Sequence, residues 1–171
     1  MKEKVLIQDQ AYDIRYTLPA DEKFLLEWML DPETNRFFPV QTENEIKDSV
    51  RNWMGYARYK ASLTATWKKE PCGIGTLFLM PYQKVSHHCM FYLIVKKEAR
   101  RQGIGGSMVK NLIHLASHHF KLESVHAEVF EGCPLFSVLK RQGFESFAYQ
   151  ERYVKQSNGK YLARHLLESF I

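Results

Sequence analysis

Arg100-Arg101-Gln102-Gly103-Ile104-Gly105-Gly106-Ser107 decides the reading of this chain, because it joins a strand-like run, Met90 to Val95, to a strongly amphipathic helix pattern. The first amides of a helix have no intrahelical acceptor, and the aligned peptide dipoles add partial positive charge where those amides point. An anion supplies the missing partner. Glycine at 103, 105 and 106 removes the Cβ atoms that would hold a pyrophosphate off the main chain, and Arg100, Arg101, Lys96, Lys97 and Lys110 surround the loop with charge. The helix that follows carries Ile104, Met108, Leu112, Leu115, Ala116 and Phe120 at three-to-four spacing, with Lys110, Asn111, His114 and His118 largely on the other side. A glycine-rich turn between strand and helix can also be turn chemistry alone, so its surroundings carry the weight.

Two familiar nucleotide loops fail on single residues. A dinucleotide fingerprint needs a third glycine three positions after the second, where Met108 stands, and a P-loop needs Lys followed by Ser or Thr after its last glycine. The residues present resemble instead the acetyl-CoA motif of the GNAT N-acetyltransferase superfamily: Arg or Gln, two residues, Gly, one residue, then Gly or Ala, filled here by Arg100, Gly103 and Gly105.

At 171 residues the chain has the length of one domain, residues 1–171, with room for a real core. Its 45% hydrophobic and 25% charged content is globular rather than disordered. No apolar run reaches the roughly 20 residues that span a bilayer. Met1 to Asp9 lacks the apolar core of a signal peptide, so a cytoplasmic protein is expected. Cys72, Cys89 and Cys133 have no paired short spacing, and no histidine pair has metal-ligand spacing; neither a disulfide framework nor a metal is expected. The net charge of +5 is read as mainly a cofactor feature, part of it lying at Lys96 to Arg101.

Hydrophobic periodicity predicts a strand over Tyr12 to Leu18, helices over Asp21 to Leu30 and Glu43 to Tyr59, and an antiparallel pair, Ala61 to Lys68 with Cys72 to Met80, turning at Lys69-Glu70-Pro71. His88 to Val95 is the strand feeding the glycine loop. After the long helix come a strand over Ser124 to Phe130, a short helix from about Cys133-Pro134, a strand from Phe144, and a closing hairpin whose turn is Ser157-Asn158-Gly159-Lys160. This is an α+β order. It is also the order of the GNAT fold, a mixed, mostly antiparallel twisted sheet flanked by helices with a splayed parallel strand pair at the coenzyme A site. Val138 to Phe144 resembles the family's helix ending in Gly-Phe, with Gly143 as helix stop. Asp31-Pro32-Glu33 and the Asn-Gly-Lys-Tyr hairpin are similar to members that acetylate protein N-termini or polyamines.

The resemblance implies an N-acetyltransferase that moves acetyl from acetyl-CoA to a primary amine in a ternary complex. It assigns the grip on the pantetheine arm to Leu93, Ile94 and Val95, and the pyrophosphate cradle to Arg100, Arg101, Gln102, Gly103, Ile104, Gly105, Gly106 and Ser107. Carbonyl polarisation by a main-chain amide near Leu93 or Ile94 needs no particular side chain. The family's frequent base position is Met90, which takes no proton. Alternation puts His88 and Tyr92 on the face of Met90, making His88 the candidate base; it reads equally as a strand-end residue, and Glu128 and Glu131 are further candidates. Leu139 stands where many members carry an acidic Tyr, and Gly132 or Cys133 where many carry Asn; Tyr92 and Ser137 are the remaining proton donors. Trp28, Phe37, Phe38, Trp53 and Tyr56 are candidates to line the acceptor pocket or to be core. A longer acyl donor, a coenzyme A-binding regulatory module without turnover, and a basic RNA-binding protein stay open as alternatives, as does a homodimer; no RNA-recognition motif accompanies the third.

Overall fold

The structure, a computed structural model, describes residues 6–171; the sequence reading over Met1 to Val5 lies outside the described residues. In chain order the main elements are β1 (Tyr12–Tyr16), α1 (Glu22–Leu30), α2 (Pro32–Asn35), α3 (Glu43–Ala57), β2 (Ser62–Trp67), β3 (Glu70–Leu79), β4 (His88–Val95), α4 (Ile104–His114), β5 (Ser124–Phe130), α5 (Leu135–Arg141), β6 (Glu145–Lys155) and β7 (Tyr161–Phe170). No helix among the described residues is long and apolar enough to cross a membrane.

Local chemistry sets the boundaries. Thr42 Oγ1 accepts from the Glu45 amide at 3.2 Å while Glu45 accepts from the Thr42 amide at 2.9 Å, a reciprocal cap that starts α3. Asp31 caps α2 in the same way, accepting from the Thr34 amide and hydroxyl, with Pro32 in the first helical turn. Gly143, at φ 86°, ends α5 as expected, and the Phe144 amide folds back to the Leu139 carbonyl at 3.1 Å. The Asn158-Gly159 turn joins β6 to β7, with Gln156 donating to the Lys160 carbonyl at 2.8 Å.

Several element ends differ from the sequence reading by a residue or two, and two of the differences have a clear physical reason. The β2–β3 turn uses Lys68 and Lys69, both at positive φ, so Pro71 lies inside β3. The ladder shifts there, Ala65 facing Gly73 but Thr66 facing Pro71, and an irregular ladder position tolerates a residue with no N–H. The long helix also stops being α-helical at His114: Leu115–His119 forms a π turn, with Phe120 donating to the Leu115 carbonyl and His114 and His118 stacked 4.0 Å apart outside it.

The seven strands lie in the order β1-β2-β3-β4-β5-β7-β6. All neighbours are antiparallel except β4 and β5. One face of the sheet is covered by α1 and α3, which pack Leu25, Trp28, Met29, Ile46, Val50 and Trp53 onto Ile74 and Ile94. The other face is covered by α4 and α5, where Val109, Leu112 and Leu139 meet Phe91, Val125, Ala127 and Leu167. Glycine brings α4 down onto β3. A Cβ at Gly73 would lie 2.7 Å from Met108 Sδ, and one at Gly75 would lie 2.6 Å from Leu112 Cδ1.

Strands β4 and β5 pair over three positions only, His88 with Ser124, Cys89 with Val125, and Met90 with His126. Beyond them each strand stays with its other neighbour. β4 keeps its ladder to β3 as far as Val95, and β5 keeps its ladder to β7 as far as Phe130. The parallel pair therefore opens into a V, and α4 begins at its mouth.

Candidate active site

The V is a cleft of about 1080 Å³ lined by Phe91 to Val95 of β4, Glu128 to Phe130 of β5, the loop and first turn of α4, and Phe37 and Phe38 from the loop after α2. Strand alternation decides which main-chain groups face it. Lys96 donates to the Cys72 carbonyl, so the even-numbered residues of β4 spend their backbone groups on β3 while Leu93 and Val95 turn theirs toward the gap. Ile94 lines the cleft, but its amide and carbonyl belong to the β3 ladder and its side chain is buried under α1 and α3. Of the three residues expected to form the grip, Leu93 and Val95 are the two with backbone groups turned to the gap, the Val95 carbonyl already accepting from Arg100 Nε at 3.1 Å.

At the mouth, Arg101 at φ 62° and Gly103 at φ 83° wind the chain into the start of α4, and Gly103 is its N-cap. The Ser107 amide is the first to find its helical acceptor, the Gly103 carbonyl at 3.0 Å. The preceding amides are thus free to meet an anion. A Cβ at Gly105 would have nothing within 4 Å, so this position faces open cleft; one at Gly106 would come within 3.4 Å of Gln142, whose side-chain amide donates to the Gly106 carbonyl at 2.8 Å. Lys110 and Arg141 line the same end. These features fit a diphosphate: open volume at Gly105, a helix N-terminus, and cations on either side. Among the described residues no group of three or more His, Cys, Asp or Glu is arranged to hold a metal ion.

The structure brings most of the sequence-derived residues together. Tyr92, Leu93, Ile94, Val95, Arg100, Arg101, Gly103, Ile104, Gly105, Gly106 and Ser107 all line the cleft. Arg100 also ties the mouth to α2, donating from Nε to the Val95 carbonyl at 3.1 Å and from Nη2 to Thr34 Oγ1 at 2.5 Å. Two residues lie elsewhere. Gln102 turns its side chain away and accepts from the Leu6 amide at 3.3 Å. His88 stands at the paired, closed end of β4, its ring 5.2 Å from that of His126, outside the residues that line the cleft. Its Nδ1 is buried without a hydrogen-bond partner. The reason is geometric: the V opens only after Met90, so a side chain two residues before it remains inside the paired region. Alternation along the strand groups His88 with Tyr92 but does not tell that β4 and β5 are still paired at His88.

Leu139 is fully buried in the core and offers no proton donor, whereas Cys133 lines the cleft with its thiol pKa raised by burial. The aromatic candidates divide. Phe37 and Phe38 reach the cleft; Trp28 and Trp53 are buried between the early helices and the sheet, and Tyr56 packs on Phe78 at 4.9 Å. Tyr92 bridges the two settings, 5.9 Å from Trp53 and open to the cleft. Burial first, and then the charge of Glu128 beside it, raise the Tyr92 pKa, so its hydroxyl keeps its proton throughout the physiological range.

Sequence reasoning named Glu128 only as a further candidate base, level with Glu131, and missed Arg164. Glu128 is nearly buried yet lines the cleft, and Arg164 Nη1 donates to its Oε2 across the β5–β7 ladder. The available signal was a lone carboxylate within the apolar run Val125-His126-Ala127-Glu128-Val129-Phe130, a placement that needs a cationic partner.

Comparison with known proteins agrees with this geometry. The chain superimposes on an acetyltransferase of the GNAT family from Streptococcus pneumoniae with a TM-score of 0.77, at 19% identity over 94% of this chain and 99% of that one. A ribosomal-protein-alanine N-acetyltransferase from Brucella melitensis gives 0.79 at 21% identity, over 93% and 99% of the two chains. The yncA protein of Salmonella typhimurium, solved with its cofactor acetyl-CoA, gives 0.79 at 12% identity over 94% of each chain. At these identities the likeness establishes the fold. A search of curated proteins found no match. The model of the acetyltransferase (GNAT) domain matches residues 14–145, most of the chain, and the chain belongs to the GNAT acetyltransferase family.

Proposed function

We propose that residues 1–171 act as one N-acetyltransferase domain that moves acetyl from acetyl-CoA directly to a primary amine in a ternary complex. One observation carries this reading: the β4–β5 pair opens after Met90 directly onto the N-terminus of α4, where Gly105 faces open space. In the proposed complex the amides of the loop and first turn, with Arg101, Lys110 and Arg141, hold the phosphates. Leu93 and Val95 offer main-chain groups to the pantetheine arm as a partner strand would. Leu93 is the residue of this pair set to polarise the thioester carbonyl through its amide.

The chemistry then needs little more than placement, since proximity and orientation alone contribute roughly 7–11 kcal/mol to such a reaction. The ammonium first gives up a proton, the neutral nitrogen forms the new bond to the acetyl carbon, and the carbon–sulfur pair leaves on sulfur. The nitrogen sheds a second proton and the thiolate gains one, so the net products are an amide, a thiol and one proton released to solvent. Tyr92 is the proposed donor to sulfur by its place in the cleft, although its raised pKa makes it a weaker acid than a free phenol.

The test is in two parts. Acetyl-CoA at about 100 times its dissociation constant is expected to add roughly 2.7 kcal/mol to stability, read as a raised melting temperature. Release of free thiol on adding a primary amine is expected to follow. A chain that binds acetyl-CoA but releases no thiol with any amine fits the regulatory module without turnover, the reading to which Met90 and the buried Leu139 lend support.

A further inference from the structure

The charges lining the cleft are segregated. Arg36, Arg100, Arg101, Lys110 and Arg141 supply the cations, and Glu128 is the one carboxylate among the described lining residues. Its side chain is only 5% exposed. A carboxylate placed there loses most of its hydration, a cost that a well-oriented cation must offset.

Arg164 is held so that it does this. Its Nη1 donates to Glu128 Oε2, its Nε donates to Gln150 Oε1 at 3.1 Å, and its guanidinium carbon lies 3.7 Å from the centre of the Tyr153 ring. The last two partners come from an irregular stretch of β6. Gln150 faces Arg164 and Val154 faces Leu162, so four steps of β6 span two of β7. The extra length turns Tyr153 back over the sheet, onto Arg164 and to within 5.9 Å of the Phe130 ring, as a bulge re-aims a side chain. The rest of β6 is almost entirely exposed, so core packing gives no reason for this excursion.

Arg164 donates to Oε2, and the carboxylate, which lines the cleft, also has the Tyr92 hydroxyl within side-chain hydrogen-bonding reach. Aromatic rings surround the same space: Tyr92 and Phe130 flank Glu128 on their strands, and Phe37 and Phe38 complete the lining. Arg36 lies over Phe37, 4.5 Å from its ring centre, and adds positive charge on that side.

We propose that Glu128 is the anchor for the acceptor, taking the ammonium of a singly charged primary amine whose apolar or aromatic stem lies against Phe37, Phe38, Tyr92 and Phe130, with Arg164 as its positioning residue. An ammonium brought into this cleft meets one carboxylate, and a second positive charge on the same molecule meets Arg36 or Arg164 instead. The inference deepens the acetyltransferase reading and rests on it. It separates this chain from the polyamine-acetylating members to which the hairpin sequence is similar.

The experiment uses the full chain with acetyl-CoA, phenethylamine and spermidine as probe amines, thiol release for rates and calorimetry for acetyl-CoA affinity. Phenethylamine is expected to exceed spermidine in kcat/KM by about tenfold or more, and Glu128→Gln is expected to raise its KM by about tenfold to a hundredfold with a smaller change in kcat. Acetyl-CoA affinity is expected to stay within about twofold, the helix end being untouched. Glu128→Asp, which keeps the charge on a shorter stem, is expected to recover part of the loss; if Glu128→Gln does not fold, Glu128→Asp carries the test by itself, with a raised KM expected and a wild-type KM overturning the anchor. Wild-type KM in a folded Glu128→Gln protein that binds acetyl-CoA overturns it while leaving acetyl transfer standing. Equal or better use of spermidine, or no turnover of phenethylamine by a protein that binds acetyl-CoA, overturns the acceptor class. Failure of the unaltered chain to bind acetyl-CoA removes the underlying reading instead.

Discussion

The two ends of the cleft are built on opposite plans. The proposed cofactor end centres on one continuous segment, residues 100–107, where a helix start and a glycine with nothing near its missing Cβ leave main-chain amides open. The far end draws on side chains from five separate stretches: Phe37 and Phe38, Tyr92, and Glu128 with Phe130 line it, while Arg164 and Tyr153 back Glu128 and Phe130 from two further strands. Amides at a helix terminus are placed by the helix itself and need no tuning. A buried carboxylate must be placed, paired and walled by residues from elsewhere. On the proposed assignment the same contrast separates a general cofactor from a particular acceptor: one end would meet a group that never varies, while the other would select.

If this division is correct, damage to one end leaves the other nearly intact. The largest effect on binding is expected from Gly105→Glu, which puts bulk and negative charge where the diphosphate is proposed to lie; acetyl-CoA affinity by calorimetry should fall about a hundredfold, or roughly 2.7 kcal/mol. The melting temperature should hardly move, because the new side chain enters open space. Unchanged affinity would break the assignment of the cofactor end.

Arg164→Met attacks the other end. It leaves the Glu128 carboxylate buried without its cation, and denaturant unfolding should show a loss of about 2–4 kcal/mol. Pairing it with Glu128→Gln should return part of that loss, giving a coupling measurable in a double-mutant cycle. Strict additivity would mean that the two residues do not act together.

A third substitution belongs to neither end and serves as the contrast. Asp21 is buried, accepts from both Arg15 Nη atoms at 2.7 and 2.9 Å, and takes further bonds from the Leu18 amide and Thr64 hydroxyl. Burial alone would raise its pKa, but these donors outweigh it and hold the carboxyl below its ordinary 3.8. The sign follows from linkage: a depressed folded pKa contributes stability that is complete above the unfolded value and is lost as pH falls through the folded one. Asp21→Asn should therefore cost about 2 kcal/mol near neutral pH and flatten the acid limb of stability below about pH 4. Neither acetyl-CoA affinity nor amine KM should follow.

The smallest effect sharpens the comparison, because Gly75→Ala acts on the cofactor end from beneath. Its Cβ would press on Leu112 in the last turn of α4, with an expected cost of about 1–2 kcal/mol and a few-fold loss of acetyl-CoA affinity as the helix shifts. A loss of stability with no change in affinity would mean that the amide cradle is set by the loop alone.

The parts legible in the sequence are those fixed by short-range rules. The strand Ser124–Phe130 appears with the predicted bounds, the closing hairpin turns at Asn158-Gly159, and Gly143 stops α5, because alternation, turn chemistry and helix termination are each settled by a few adjacent residues. The loop at 100–107 was legible for the same reason. The limits of those rules show in His88: periodicity gives the face of a strand but not the point at which two strands part.

What the sequence determined by itself was the order of elements and a helix start able to meet an anion, both encoded in neighbouring residues. Tertiary structure alone decided where β4 leaves β5, which of Leu93, Ile94 and Val95 turn their backbones to the gap, and that Glu128 meets an arginine 36 residues further along. The physical reason is range. A cap, a turn or a hydrophobic period is closed within a few residues, whereas the splay is the outcome of each strand keeping its longer ladder, β4 to β3 and β5 to β7, and the buried carboxylate became tolerable only once that sheet had brought its cation across.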